Sequence, residues 1–298
     1  MQNQPNIPQN VLVIAASGKT GRRVADILES KGVSVRRGSR SGSPAFDWER
    51  PDTWAAALGG MDAAYVAYLP DLAVPQAKPD ITRLVELAKE KGLKKLVLLS
   101  GRGEPEAQKC EQLVQQSGLE WTVVRAGWFN QNYSEGIFAD MVAQGVIALP
   151  DADTREALID VNDIAEVAAA SFLDARHDGE VYEVTGPELL SHEQVAQQLS
   201  AALGRQIRYQ PLTIPEFIAG LQQQGVPDVY LGLMHDLFTI TASGVNAHVA
   251  DGVERALGRA PRSFSDFVSN AAANNVFPPA AHETAEQTAG QTKEATNG

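Results

Sequence analysis

Residues 14–24, IAASGKTGRRV, contain two overlapping arrangements that can bind phosphate. Gly18-Lys19-Thr20 matches the end of a nucleoside-triphosphate loop, where the lysine reaches the terminal phosphates and the threonine holds magnesium. That loop requires another glycine five residues before Gly18, and position 13 is valine. Only Ala15, Ala16 and Ser17 separate the apolar run 11–14 from Gly18, too few to wrap a phosphate chain. The second arrangement is a dinucleotide turn of the form G-x-x-G-x-x-G over residues 15–21, joining a strand to a helix whose N-terminus faces a pyrophosphate. The context fits it, because apolar residues follow at 24, 25, 27 and 28 and Gly32 ends the helix. Ala15, Ser17, Gly18, Lys19, Thr20 and Gly21 are therefore candidate cofactor contacts. Ala15 stands where the first glycine belongs, and a positive φ there would cost an alanine about 1 kcal/mol.

The second strand bears on which dinucleotide binds. A fold selective for NAD places Asp or Glu after that strand to bind the ribose hydroxyls. Here the residues are Val35-Arg36-Arg37-Gly38-Ser39-Arg40-Ser41. A guanidinium beside hydroxyls suits a 2'-phosphate, so Ser39 and Arg40 favour NADP(H) over NAD(H), the alternative being a solvated strand end. Asp47 either accepts a bond from the adenine amine, with Phe46 and Trp48 flanking the ring, or caps a turn. Ala67, Tyr68 and Leu69 are expected to pass under the nicotinamide ribose, and the Tyr68 ring also fits a substrate wall.

These residues need a scaffold of alternating strands and helices. Apolar runs at 11–14, 33–38, 45–47, 62–69, 95–100 and 119–125 read as strands of a parallel sheet. Helical patterns intervene, one after Pro79 with Ile81, Leu84, Val85 and Ala88 on one face, another over about 105–116. Alternation resumes with a helix at 161–173 capped by Asp160 and a strand at 181–184. Ser191 and Gln194 form a capping-box pattern that opens further helices to about residue 273. The expected fold is α/β, a Rossmann-type doubly wound parallel sheet with a smaller, mostly helical C-terminal substrate domain. The Rossmann domain takes residues 10–131 and 159–184, and the cleft domain takes 132–158 and 185–278. Residues 1–9 are expected to be flexible, and 279–298, with almost no large apolar side chains, to be disordered.

Several segments resemble the NmrA-like branch of the atypical short-chain dehydrogenases/reductases. They are SGKTGRRV, SRSGSPAFDW, LVLLSGRG, RAGWFNQNYSEG, DVNDIAEVAAA, VYEVTGPELLSHEQVA and LGRAPRSFSDFV, spread from residue 10 to about 270. The resemblance is greatest to the subgroup with ergot-alkaloid iminium reductases and uncharacterised bacterial proteins. It implies an NADP(H)-binding Rossmann domain and a substrate cleft under the C-terminal helices. The family holds reductases, quinone reductases among them, and also regulators that sense the dinucleotide without using it.

Ordinary short-chain dehydrogenases place Tyr and Lys four residues apart. Four beyond the tyrosines at 65, 68, 133, 182, 209 and 230 stand Leu, Leu, Ile, Gly, Thr and Met. Ser100 falls at the family's serine position. Lys109 lies on a helix near the place of its lysine, either as a catalytic or ribose-binding group or as a solvated helical lysine. Hydride transfer to a quinone-like or iminium-like acceptor tolerates the missing tyrosine, because a phenolate is stabilised and an iminium ion is neutralised directly. Trp128, Phe129 and Tyr133 are candidate walls of a pocket for a flat, apolar compound, or a packed seal between domains; Asn132 binds substrate or holds the loop. The expected activity is an NADPH-dependent reductase of such an acceptor. The alternative is a non-catalytic NADP-sensing regulator acting through protein contacts.

Composition narrows the partners. The net charge of -12, without a long basic run, disfavours nucleic acid and anionic lipid as partners. No apolar run has membrane-spanning length, and the expected location is the cytoplasm. A single cysteine, Cys110, excludes an internal disulfide, and the histidines at 177, 192, 235, 248 and 282 lack metal-ligand spacing. No metal is expected.

Overall fold

The computed structural model describes residues 7–150 and 154–279. The expected disorder of 280–298 and flexibility of residues 1–6 lie outside the described residues. The first strand, β1 (Asn10–Ile14), is followed by α1 (Lys19–Ser30), β2 (Ser34–Gly38) and a short α2 (Trp54–Leu58). Next come β3 (Ala63–Val66), α3 (Ala77–Lys91), β4 (Lys95–Gly101), α4 (Pro105–Gln115) and β5 (Glu120–Ala126). These strands and a later one, β7 (Glu180–Val184), form a wholly parallel sheet in the order β2-β1-β3-β4-β5-β7. The order reverses between β1 and its neighbours, so a crevice opens beyond the carboxyl ends of β1 and β3, where doubly wound sheets bind ligands. Residues 45–47 form no strand. Phe46 and Trp48 pack instead against Trp54, at ring separations of 5.8 and 5.2 Å, and serve as core.

Val11, Leu12, Val13 and Ile14 are fully buried because helices cover both faces of the sheet. One face packs Leu12, Ile14, Leu96 and Leu98 against α3 and α4. The other packs Val11, Val13 and Val97 against α1 and α7 (Val161–Leu173). The Asp160 carboxylate accepts the Asn162 N-H at 2.8 Å and caps α7, as its position before the apolar run requires.

Between β5 and α7 lie α5 (Asn132–Glu135), α6 (Ala139–Gln144) and β6 (Val146–Pro150). After β7 (Glu180–Val184) come α8 (His192–Leu203), β8 (Arg208–Leu212), α9 (Ile214–Gln223), α10 (Asp228–Ala242), α11 (Gly252–Leu257) and α12 (Phe264–Ala273). Ser191 and Gln194 make the reciprocal capping box at the start of α8. Strands β6 and β8 pair in parallel as a separate two-stranded sheet, an element absent from the expected mostly helical reading. Short polar strands with exposed faces, such as Arg208–Leu212, carry too few apolar residues to stand out in sequence.

The C-terminal segment is tied to the main sheet by charge. Asp163 on α7 is fully buried and accepts from Arg259 Nη2 at 2.6 Å, from the Arg262 guanidinium and from the Arg262 N-H at 2.7 Å. Glu166, one turn on, binds both arginines. Removing the buried carboxylate leaves two guanidiniums with half their partners. Asp163→Ala is expected to cost about 3 kcal/mol, read as a lower urea midpoint. A loss below about 1 kcal/mol, the size of an exposed ion pair, would show that the cluster does not hold the segment.

Candidate functional site

At the end of β1 the chain turns sharply, and Ala15 adopts φ +56°, the left-handed conformation that suits glycine. The Gly18 N-H donates to the Ala15 carbonyl at 2.9 Å and closes the turn. Helix α1 then starts so close to the turn that a Cβ on Gly21 would sit 2.3 Å from that carbonyl oxygen. Gly18 serves as N-cap with no capping side chain, and no acidic residue stands in the first turn of α1. The first amides of α1 are thus left for an anion, and the helix dipole favours one. A pyrophosphate suits this turn on geometry.

Above the turn opens a cavity of about 450 Å³, within the range of small-molecule sites. Ala15, Gly18, Lys19 and Thr20 form one end of it. Ala67, Tyr68 and Leu69 beyond β3, and Ser100 on β4, form the floor. Trp128, Phe129 and Asn132, from the segment after β5, form a side. Lys19 Nζ donates to Asn132 Oδ1 at 2.9 Å, so the turn and this wall are bonded directly. Burial lowers the Lys19 pKa, with Glu135 opposing the shift.

Other expected residues fall elsewhere. Lys109 is exposed on α4, pairs with Glu106 at 2.5 Å and lies outside the cavity, because its helix turns it to solvent. Tyr133 is buried between Phe138 and Phe264 and does not line the cavity. Asp47 is a turn residue: its carboxylate accepts the Glu49 N-H at 3.1 Å and its carbonyl accepts Trp54 Nε1 at 2.6 Å. With Phe46 and Trp48 in the core, that loop offers no aromatic clamp. Ser17 is exposed and Gly21 packs against the strand, both outside the cavity lining.

Ser39 and Arg40 follow β2, also outside the cavity. The neighbouring arginines are occupied. Arg37 holds Asp26 and Glu29, and Arg36 donates to the carbonyls of Ala57 and Gly59, both at 2.7 Å. Arg40 is exposed and, among the described residues, has no ion pair or hydrogen bond. Tyr68 and Ser100 are each bound to a carboxylate. Tyr68 Oη donates to Asp80 at 2.6 Å, and burial followed by that bond raises its pKa. Ser100 Oγ donates to Glu111 at 2.7 Å, which Arg125 also holds.

Sequence reasoning missed half of the cavity. Helix α10 contributes Tyr230, Leu233, Met234, Leu237, Ile240 and Thr241, spaced three and four apart along one face. Trp128 Nε1 donates to Thr241 Oγ1 at 3.1 Å and joins the two walls. Arg102 lines the base, its side chain 1% exposed and bonded to Glu183 at 2.9 Å. It also donates to the His248 carbonyl at 3.1 Å, and Asn246 Nδ2 returns a bond to the Arg102 carbonyl at 3.1 Å. Asp71 and Glu104 complete the lining as two carboxyls brought to the same cavity from different elements. Burial raises the pKa of both, and Asp71 and Glu111 raise that of Glu104 further. The periodicity of residues 228–242 was the available signal for α10. Nothing local marks Asp71 and Glu104, which meet only in the fold.

Parallel sheet, dinucleotide turn and adjoining apolar cavity define a nicotinamide-dinucleotide oxidoreductase. Residues 15–175 match an NAD(P)H-binding family and residues 106–267 match the NmrA-like family. The chain belongs to the NmrA-like family. It is 30% identical over 287 residues to an NAD(P)H azoreductase of Xenophilus azovorans, covering 88% of this chain and 98% of the other. It is 30% identical over 278 residues to an agroclavine dehydrogenase of Claviceps fusiformis, covering 87% and 96%. The NADPH-dependent quinone oxidoreductase QOR2 of Escherichia coli, solved with NADPH, shares the fold at a TM-score of 0.70 with 23% identity, covering 87% and 99%. The protein is an NAD(P)H-dependent oxidoreductase. Among the described residues, no helix is long and apolar enough to cross a membrane.

Ala15→Gly relieves the left-handed strain while loosening the unfolded chain, so stability is expected to stay within about 1 kcal/mol. Dinucleotide affinity is expected to be unchanged or tighter, read by calorimetric titration. A folded variant that binds tenfold more weakly would overturn the assignment of this turn to the pyrophosphate.

Proposed function

We propose that the protein is an NADPH-dependent reductase of a small, flat, quinone-like or iminium-like acceptor. The carrying observation is that a single cavity joins the Ala15–Thr20 turn to a wall of Trp128, Phe129, Leu233, Met234 and Leu237. A cavity of this character beside the cofactor turn supports turnover over the sensing alternative. The names of the two relatives and of the structural neighbour, an azoreductase, an agroclavine dehydrogenase and a quinone oxidoreductase, point to conjugated acceptors.

In this reading, the bound cofactor supplies hydride. The amides of the first turn of α1 hold its pyrophosphate, with Lys19 beside them. Ala67 and Tyr68 line the floor, and Leu69 closes the rim with a side 58% exposed. The aromatic and aliphatic walls exclude water and lay the acceptor flat. Ser100 and Tyr68 keep their hydroxyl protons on Glu111 and Asp80, so neither supplies the acid of an ordinary short-chain dehydrogenase.

The preference for NADPH rests on Arg40, the free guanidinium beyond β2, where a 2'-phosphate fits. Arg40→Glu is expected to weaken NADPH binding about ten- to a hundredfold, the worth of a charge-assisted contact, and NADH binding much less. Equal losses in calorimetric titrations would remove Arg40 from phosphate recognition. With NADPH in excess, the purified protein is expected to reduce a small quinone through many turnovers. Confirmed NADP binding, with no steady cofactor oxidation across a panel of quinones, imines and azo compounds, would overturn the reductase reading.

A further inference from the structure

Asp71 and Glu104 enter the cavity from different elements. Asp71 follows the β3 strand end and accepts the Ala73 N-H at 2.8 Å. Glu104 is the N-cap residue of α4, yet its side chain makes no capping bond. It folds back over Gly101 so closely that a Cβ there would lie 2.0 Å from Glu104 Oε1. A glycine at that strand end is what makes room for the carboxyl. The Glu104 residue is 6% exposed, and its Oε2 has no hydrogen-bond partner among the described residues.

No lysine or arginine among the described residues forms an ion pair with either carboxyl. The groups around them are Glu111, held by Arg125; Tyr68, held by Asp80; and the Cys110 thiol, with Glu106 and Lys78 near it. Arg102 lines the same cavity but is turned to Glu183 and the His248 carbonyl. Two carboxyls on one cavity lining, Glu104 buried with an unpartnered oxygen and neither paired with a cation, repel one another as anions, and a proton held between them removes that repulsion.

We propose that Asp71 and Glu104 hold one shared proton in the resting protein and give it to the acceptor as the acceptor is reduced. The substrate class is then neutral conjugated two-electron acceptors, such as an azo compound, a quinone or an unsaturated carbonyl, in preference to cations. This rests on the reductase reading above. Hydride from the reduced nicotinamide brings one hydrogen and an electron pair to one end of the conjugated system. The π pair moves to the far nitrogen or oxygen, which takes the proton as the carboxyl O-H bond breaks. The acceptor gains two hydrogens and two electrons, the nicotinamide is oxidised, and the carboxyl pair regains a proton from water. An iminium ion is neutralised by hydride alone and does not need that proton.

The pair is tested first without cofactor. Infrared spectra at about pH 8, far above an ordinary carboxyl pKa, are expected to show a protonated carboxylic acid that vanishes in Glu104→Gln and in Asp71→Asn. Because the folded protein keeps a proton that the unfolded chain has lost, its melting temperature is expected to fall as pH rises above the ordinary carboxyl range. That slope flattens in Glu104→Gln. Absence of the acid band overturns the inference whatever the enzyme reduces.

With NADPH present, Glu104→Gln is expected to lose about 100-fold in kcat on an azo acceptor, the usual worth of a positioned acid. The loss is expected to be smaller on a quinone, whose reduced anion is less basic, and least on an N-alkyl iminium salt. NADPH affinity and the acceptor KM change little, and calorimetry confirms that the variant is folded and binds cofactor. Equal losses on all three acceptors, or none, would remove the pair as proton donor. A native protein that reduces none of them overturns the reductase reading, and the donor role with it, while the infrared result stands separately.

Discussion

The missing side chain of Gly21, where a Cβ would lie 2.3 Å from the Ala15 carbonyl oxygen, sets the position of everything that follows. A side chain at 21 would collide with the strand-end backbone, so α1 approaches β1 more closely than any other residue would permit. The close approach aims the first amides of α1 at the crevice beyond the sheet. It also forces the chain between them into a turn tight enough to hold an alanine in left-handed conformation. The turn, the helix and the cavity share one geometric origin.

From that point two supports build the site. The sheet ends supply the floor, with Tyr68 and Ser100 each fixed by a buried carboxylate. The later segments supply further walls and are tied to the sheet layer: Glu135 on α5 to Arg22 and Arg23, the His248 carbonyl and Asn246 to Arg102, and Arg259 and Arg262 to Asp163. Asp71 and Glu104 depart from this rule. Glu111 is held by Arg125 and Ser100, and Asp80 by Tyr68, whereas neither Asp71 nor Glu104 has an ion pair among the described residues. An unneutralised pair is costly to bury, and it lies in the cavity lining.

The sheet and its cofactor turn were legible because their signals are local. Strand, glycine turn and helix follow within twenty residues, and β1 is apolar throughout, as a doubly covered strand must be. The sequence offers Arg36, Arg37 and Arg40 alike, and the structure separates them: Arg36 and Arg37 are tied to nearby carbonyls and acids, and Arg40 is exposed. For Asp47, Lys109 and Tyr133 the sequence left two readings open, because residue type and approximate position do not give side-chain direction. Each points to a turn, to solvent or to the core. The β6-β8 pair and the meeting of Asp71 with Glu104 depend on contacts between segments far apart in the chain, which no local pattern encodes.

Helix α10 gives the molecule a division of labour with an evolutionary consequence. The residues it contributes lie along one face of one helix, none of them in the phosphate turn or in the sheet. A lineage can exchange Leu233, Met234, Leu237 or Ile240 and reshape the chamber without disturbing the turn at the start of α1. In the proposed reading the cofactor half is fixed by close backbone packing and tolerates little change, while the acceptor half rests largely on a row of apolar side chains. New acceptors can thus be acquired by drift along a single helix, a few substitutions at a time.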